Sequence, residues 1–309
     1  MRILIAGATG AIGRKLVPML VEAGHEVTGT SRTVERASEL VELGATPAVM
    51  DALDPVATAA TVAWAKPDVI VHQLTALPRV PNPKKSDIYE ATDRLHREGT
   101  ANLVAAAVDA GVKRIVAQSI AFAYAPEGGA IKDEEAPLAT GAPEPFGTTV
   151  QAVAELERQV TQTQGIEGIV LRYGWFYGPG TYFGPDGFIA GEVRKRRYPV
   201  IGSGNGITSF VNTEDAAGAT VTAIEKGEPG IYNIVDDEPL ALREWLPFYA
   251  DAIGAKPPRR IPRLVARLAA GPVVAQMATE MRGASNAKAT RELGWRPRYP
   301  SVRDGFAVL

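Results

Sequence analysis

In the N-terminal stretch MRILIAGATGAIGRKL, Gly7, Gly10 and Gly13 stand between an apolar run and the start of a helical pattern. That spacing can bind an anion without any reactive side chain. Gly7 permits a tight turn, Gly10 lets the backbone approach a pyrophosphate, and Gly13 lets the helix lie close to a sheet. Free N–H groups at the helix start, aided by the helix dipole, then hold the negative charge. Thr9, Ala11 and Ile12 belong to the same turn and to the same expected contact. A plain strand–helix turn is the alternative, but the flanking strand and helix favour the phosphate.

The next apolar run ends in GTSRTVER. An acidic residue there would bond a ribose 2′-hydroxyl and select NAD. None is present. Ser31, Arg32 and Arg36, with Arg14 nearby, suit a 2′-phosphate, because guanidinium matches phosphate oxygens in a bidentate fork. The cofactor expected is NADP rather than NAD. Asp51, at the end of the third run, is placed either to contact adenine or to cap a helix.

These groups need a scaffold, and the sequence supplies its pattern. Short apolar runs (Ile3–Ala6, Glu26–Thr30, Thr46–Met50, Val69–Gln73, Arg114–Gln118, Gly168–Leu171) alternate with helical stretches (Ala11–Ala23, Val34–Leu43, Val56–Ala65, Asp87–Ala110, Thr149–Gln164). Strands without in/out alternation are expected when helices cover both sheet faces. The fold class is therefore α/β, a Rossmann-type doubly wound parallel sheet. Gly24, Gly44, Gly111 and Gly165 follow helices where a left-handed cap favours glycine. Past Tyr173, glycine and proline become frequent and the alternation weakens. The division expected is a cofactor domain over 1–174, a smaller substrate lobe over 175–309, and a return of 207–236 to the first domain.

Composition narrows the function. The 309 residues carry a net charge of −2, with 46% hydrophobic and 22% charged residues. No basic field argues for nucleic acid. There is no cysteine, so thiolate chemistry and iron–sulfur clusters are excluded, and the three histidines show no metal-ligand spacing. No apolar run reaches the ~18 residues of a membrane span, and the start is unlike a signal peptide, so the expected location is cytoplasmic.

Several phrases together resemble the extended short-chain dehydrogenase/reductases, the NAD(P)-dependent epimerase/dehydratase-like proteins. They are GATGAIG, HQLTA (72–76), GTANLVAAAVDAGVKRIVAQS (99–119), LRYGWFYGPGT (171–181), FVNTEDAAGA (210–219), YNIVDDEP (232–239) and KATRELGWRP (288–297). The resemblance implies further cofactor contacts from Leu74, Thr75, Ala76, Ser119 and Tyr173. It also implies a catalytic Ser or Thr, a Tyr and a Lys, with Lys lowering the phenol's pKa. Here the Tyr and Lys positions hold Phe146 and Val150, and the hydroxyl position holds Ile120. No Tyr-x-x-x-Lys occurs anywhere in the chain. The remaining candidate proton donors are Tyr124, Ser119, Tyr173 and Tyr177, each readable instead as a packing or turn residue.

The arginine by which sugar-nucleotide members clamp a diphosphate is replaced by Thr208 and Ser209. Leu77, Trp175, Phe176, Tyr177, Phe183 and Phe210 suggest an apolar or aromatic pocket, or else inter-lobe core. The runs RKRR (194–197) and RRIPR (259–263) read as a phosphate grip or a solvated face. The stretch 264–281 reads as a lid, a dimer surface or a core helix. The reading reached is an NADP-dependent oxidoreductase acting on a small apolar or aromatic carbonyl-type molecule. A catalytically silent NADP(H) sensor and an epimerase or dehydratase with a relocated base are the alternatives. A homodimer is expected through 87–110 and 149–164, whose Ala101, Ala105 and Ala152 allow close packing.

Overall fold

The computed structural model describes residues 1–81 and 87–308. Seven parallel strands form the central sheet. Their spatial order is Gly230–Ile234, Glu167–Tyr173, Arg114–Ile120, Val69–His72, Arg2–Ala6, Glu26–Ser31 and Thr46–Val49. The chain starts in the middle and winds outward in both directions, the doubly wound topology. Leu4, Ile5, Ile70, Val71, Val116, Ala117, Val170 and Leu171 are fully buried. That is why these strands read as continuous apolar runs: both faces are covered.

Helices Gly13–Glu22 and Thr213–Lys226 pack together against one face. On the other face Pro55–Ala65 packs on Thr100–Asp109, which in turn meets Phe146–Gln162. The long helical pattern after residue 87 is not uniform. Glu90–Arg94 and Thr100–Asp109 are α-helical, and the turn between them, Leu95–Gly99, is a π-helix. Gly24, Gly44, Gly111 and Gly165 have φ of +81°, +88°, +70° and +82°, as the left-handed cap requires.

Beyond Tyr173 the chain forms small two-stranded pairings. Trp175–Tyr177 runs parallel to Phe210–Asn212, and Val200–Ile201 runs parallel to Arg260–Ile261. A second core gathers around Trp245, with Phe183, Phe210, Tyr177, Tyr249 and Phe306. Strand Gly230–Ile234 leaves this lobe to pair with Glu167–Tyr173 at the sheet edge. The two basic runs flank the Val200–Ile201 and Arg260–Ile261 pairing, and most of their side chains are exposed.

Candidate active site

The glycine turn joins strand Arg2–Ala6 to helix Gly13–Glu22. Gly7 has φ +90°, and a Cβ there would lie 2.5 Å from the Gln73 carbonyl oxygen. A Cβ on Gly13 would lie 2.4 Å from the Ala8 carbonyl oxygen. Both positions therefore exclude any side chain. Among the described residues, the N–H groups of Ala11, Ile12 and Gly13 find no acceptor within the protein. The helix has no side-chain cap and no acid in its first turn. The anion cradle is present, and a dinucleotide's diphosphate fits it.

Strand Glu26–Ser31 ends beside this turn. Ser31 is buried, whereas Arg32 and Arg36 are exposed and, among the described residues, have no side-chain hydrogen bond or ion pair. Arg14 differs from expectation. Its Nε donates to the Thr9 carbonyl at 3.1 Å and its guanidinium pairs with Glu39, so it braces the turn from within the protein. Asp51 is exposed and accepts from the Leu53 N–H at 3.0 Å, while the neighbouring helix is capped by Asp54. Leu74, Thr75 and Ala76 follow the end of strand Val69–His72, and Thr75 is exposed there.

Ser119, Tyr124 and Tyr173 are held in buried hydrogen-bond networks. Ser119 Oγ donates to Glu157 at 2.6 Å. Glu157 forms a bidentate, buried ion pair with Arg172, at 2.8 and 2.7 Å. Arg172 also donates to the Tyr124 hydroxyl at 2.9 Å, and that hydroxyl donates to Asn233 Oδ1 at 2.7 Å. Burial opposes the charge on Arg172, but Glu157 outweighs it and the guanidinium pKa is raised. Burial also raises the Tyr124 phenol, with Arg172 pulling the other way. Ser119 and Tyr124 thus tie the strand-end loop to helix Phe146–Gln162, and both hydroxyl protons are already engaged. Tyr173 is likewise buried. Its hydroxyl lies 2.6 Å from Thr220 Oγ1 and 3.3 Å from Gln73, and burial pushes it up to about 12.

Three expected pocket residues, Tyr177, Phe183 and Phe210, belong to the second core instead. Tyr177 and Phe210 are completely buried and Phe183 nearly so. Tyr177 packs edge-on against Phe306 at 5.3 Å, and Phe210 meets Trp245 at 5.3 Å and Phe183 at 5.2 Å. Their aromatic area is spent on one another rather than on a ligand. Phe176 packs against Tyr173 at 5.3 Å, and Leu77 is exposed on the surface. Trp175 is half-buried and stacks on Phe122 at 4.3 Å.

Phe122 leads to the cavity. It lines a small concave site with Tyr124, Pro126, Phe146, Val273, Met277 and Met281, to which Ala139, Ala142, Pro143, Gln276 and Glu280 also contribute. Helix Pro272–Glu280 forms one wall and the first residue of helix Phe146–Gln162 forms another. Phe122, Met277 and Met281 were missed by the sequence reading. Their contact joins segments more than 100 residues apart, for which no local spacing gives a signal. Val150, one turn past Phe146, is fully buried. Helix Arg263–Ala270 buries only Ala266, so the two halves of 264–281 differ: the first is mostly exposed and the second lines the cavity.

Residues 3–235 match the family described as the NAD dependent epimerase/dehydratase family. The chain belongs to this family. A Streptomyces protein, a 3-diazoavenalumate denitrifying reductase, is 46% identical over 307 residues, covering 99% of each chain. Solved structures share the fold at lower identity. UDP-glucose 4-epimerase from Thermotoga maritima has a TM-score of 0.78 at 20% identity, covering 100% of this chain and 97% of its own. The human epimerase family protein SDR39U1 has 0.76 at 22%, covering 100% and 98%. The chain is thus an enzyme of the extended short-chain dehydrogenase/reductase type, built to use a nicotinamide dinucleotide. Among the described residues no helix is long and apolar enough to cross a membrane.

Proposed function

We propose that this enzyme is an NADP-dependent reductase that removes a diazo group from an aromatic molecule as N2. The observation that carries the reading is the cavity beside Phe146, whose described lining is mostly apolar and contains one phenol, Tyr124, with its proton engaged by Asn233. A ketone reduced there would need a proton for its developing alkoxide, and Ile120, Phe146 and Val150 have none to give. An arenediazonium group needs no protein donor at the atom that accepts hydride. Bound NADPH would supply hydride to the terminal nitrogen; that N–H proton would then pass to water as the carbon–nitrogen bond breaks and N2 leaves, and the ring carbon would take a proton from water. The 46% identical relative, named for a denitrifying reduction of a diazo compound, supports the same choice.

The residues of the chain would bind, orient and exclude water. The Gly7–Gly13 turn holds the diphosphate, and Arg32 and Arg36 are available for a 2′-phosphate. Phe122 and Phe146 offer flat apolar faces to an aromatic ring, a dry environment for hydride transfer. The test is to mix enzyme, NADPH and a soluble arenediazonium salt and to follow nicotinamide absorbance together with evolved N2. Equal amounts of NADPH consumed, N2 released and arene formed are expected. Turnover of a carbonyl panel with no N2 from any diazonium salt would overturn the reading.

We infer also that the enzyme pairs with a second copy. Ala101 and Ala105 lie exposed on helix Thr100–Asp109, which supports close packing there. Ala152 is buried within the subunit and takes no part. A light-scattering mass of one subunit at micromolar concentration would rule the pairing out.

A further inference from the structure

Resting on the diazo-reductase reading, we propose that Phe146, with the buried Val150 one turn behind it, protects the enzyme from its own substrate by keeping an ionisable phenol away from the diazonium nitrogen. Arenediazonium ions are electrophiles at the terminal nitrogen. A phenolate attacks through the ring carbon beside its oxygen. A carbon–nitrogen bond forms, that carbon loses its proton, and a stable azophenol results with no net redox change. A primary amine attacks in the same way, loses a proton and gives a triazene. The tyrosine–lysine pair that resembled proteins use is therefore the worst combination for this substrate, since lysine increases the phenolate fraction.

The cavity is consistent with this selection throughout. Among the described residues that line it there is no lysine, histidine, serine or threonine. The whole chain contains no cysteine, whose thiolate would be arylated first. Two lining groups remain that hold electron pairs. Glu280 is paired with Arg263. Tyr124 has its hydroxyl buried between Arg172 and Asn233, and burial raises its pKa. It stays a neutral phenol, much less nucleophilic than a phenolate. Val150 sits one helical turn behind Phe146, where a lysine would ionise any phenol placed at the front.

The test uses the full-length enzyme and Phe146→Tyr, the smallest change that restores the phenol, with Phe146→Leu as a second variant that changes shape without adding a nucleophile. Each is incubated with excess benzenediazonium salt at about pH 8.5, where a few per cent of free phenols are ionised. Peptide mass spectrometry then reads label at position 146, and NADPH consumption counts turnovers before inactivation. The expected result is an arylazo adduct at 146 in Phe146→Tyr only, with at least about tenfold fewer turnovers than wild type. Phe146→Leu, whatever its initial rate, should stay unlabelled there and show no progressive loss of that rate during exposure to the salt. An unlabelled Phe146→Tyr that sustains wild-type turnover overturns the inference while leaving the reductase reading intact. A wild type that releases no N2 overturns that reading itself, whatever the labelling pattern.

Discussion

At the scale of single residues, the proposed chemistry turns on what stands at three positions. Ile120, Phe146 and Val150 carry no exchangeable side-chain proton. If no protein acid takes part in the chemical step, kcat on a diazonium salt has no acidic or basic limb to lose. Its profile should be flat between about pH 6 and 8, unlike the bell shape of a tuned acid–base pair. Stopped-flow single turnovers across that range check this, and a tenfold fall following one ionisation would sink it. Cofactor choice is also a residue-scale question. Arg32 has no side-chain partner among the described residues, so Arg32→Ala should act mainly through what it does for a ligand. Its affinity for NADPH should fall by about 1.5–3 kcal/mol, the worth of a charge-assisted bond, with NADH unchanged. Calorimetric titrations with both coenzymes decide; equal losses for the two would refute the 2′-phosphate assignment.

At the scale of elements, the Glu157–Arg172 pair matters most. It links helix Phe146–Gln162 to strand Glu167–Tyr173, and through Ser119 and Tyr124 it fixes the loop that carries Phe122. Arg172→Met leaves Glu157 as a buried, uncompensated carboxylate, which should cost about 3–5 kcal/mol. The double variant Arg172→Met/Glu157→Leu should recover most of that loss in urea unfolding, because the pair's net worth is small. The strands, helices and glycine caps could be read from the sequence because each depends on local periodicity or local backbone geometry. The ion pair could be glimpsed only as an arginine inside the apolar run IVLRY; its partner lies 15 residues back on a helix facing the sheet. Tyr177 and Phe210 looked like pocket residues for the converse reason. An aromatic near a cleft and an aromatic under it have the same sequence signature, and only packing against Phe306 and Trp245 separates them.

At the scale of the whole molecule, two buried histidines couple stability to pH. His72, at the end of a central strand, is completely buried, with Nε2 3.0 Å from Thr100 Oγ1 and Nδ1 accepting the Leu74 N–H. Burial holds it down to about 4. His96, in the π-helical turn Leu95–Gly99, finds no hydrogen-bond partner for either ring nitrogen among the described residues, and burial holds it down to about 3, with His72 and Arg97 adding repulsion. Both rings are neutral when folded and titrate near 6.5 when unfolded. Between about pH 6.5 and 4 the unfolded chain therefore binds more protons than the native one, so stability rises with pH in that window. The stabilisation is fully present above 6.5 and is lost as pH falls toward the folded values. Each histidine contributes a slope of up to about 1.4 kcal/mol per pH unit, and the two together approach twice that. Urea unfolding at pH 7, 6 and 5 should show the midpoint falling steeply below about 6.5. His96→Gln, which cannot titrate, should remove close to half of the slope even if it shifts the baseline stability. A slope unchanged by both His96→Gln and His72→Gln would assign acid sensitivity to the carboxylates instead.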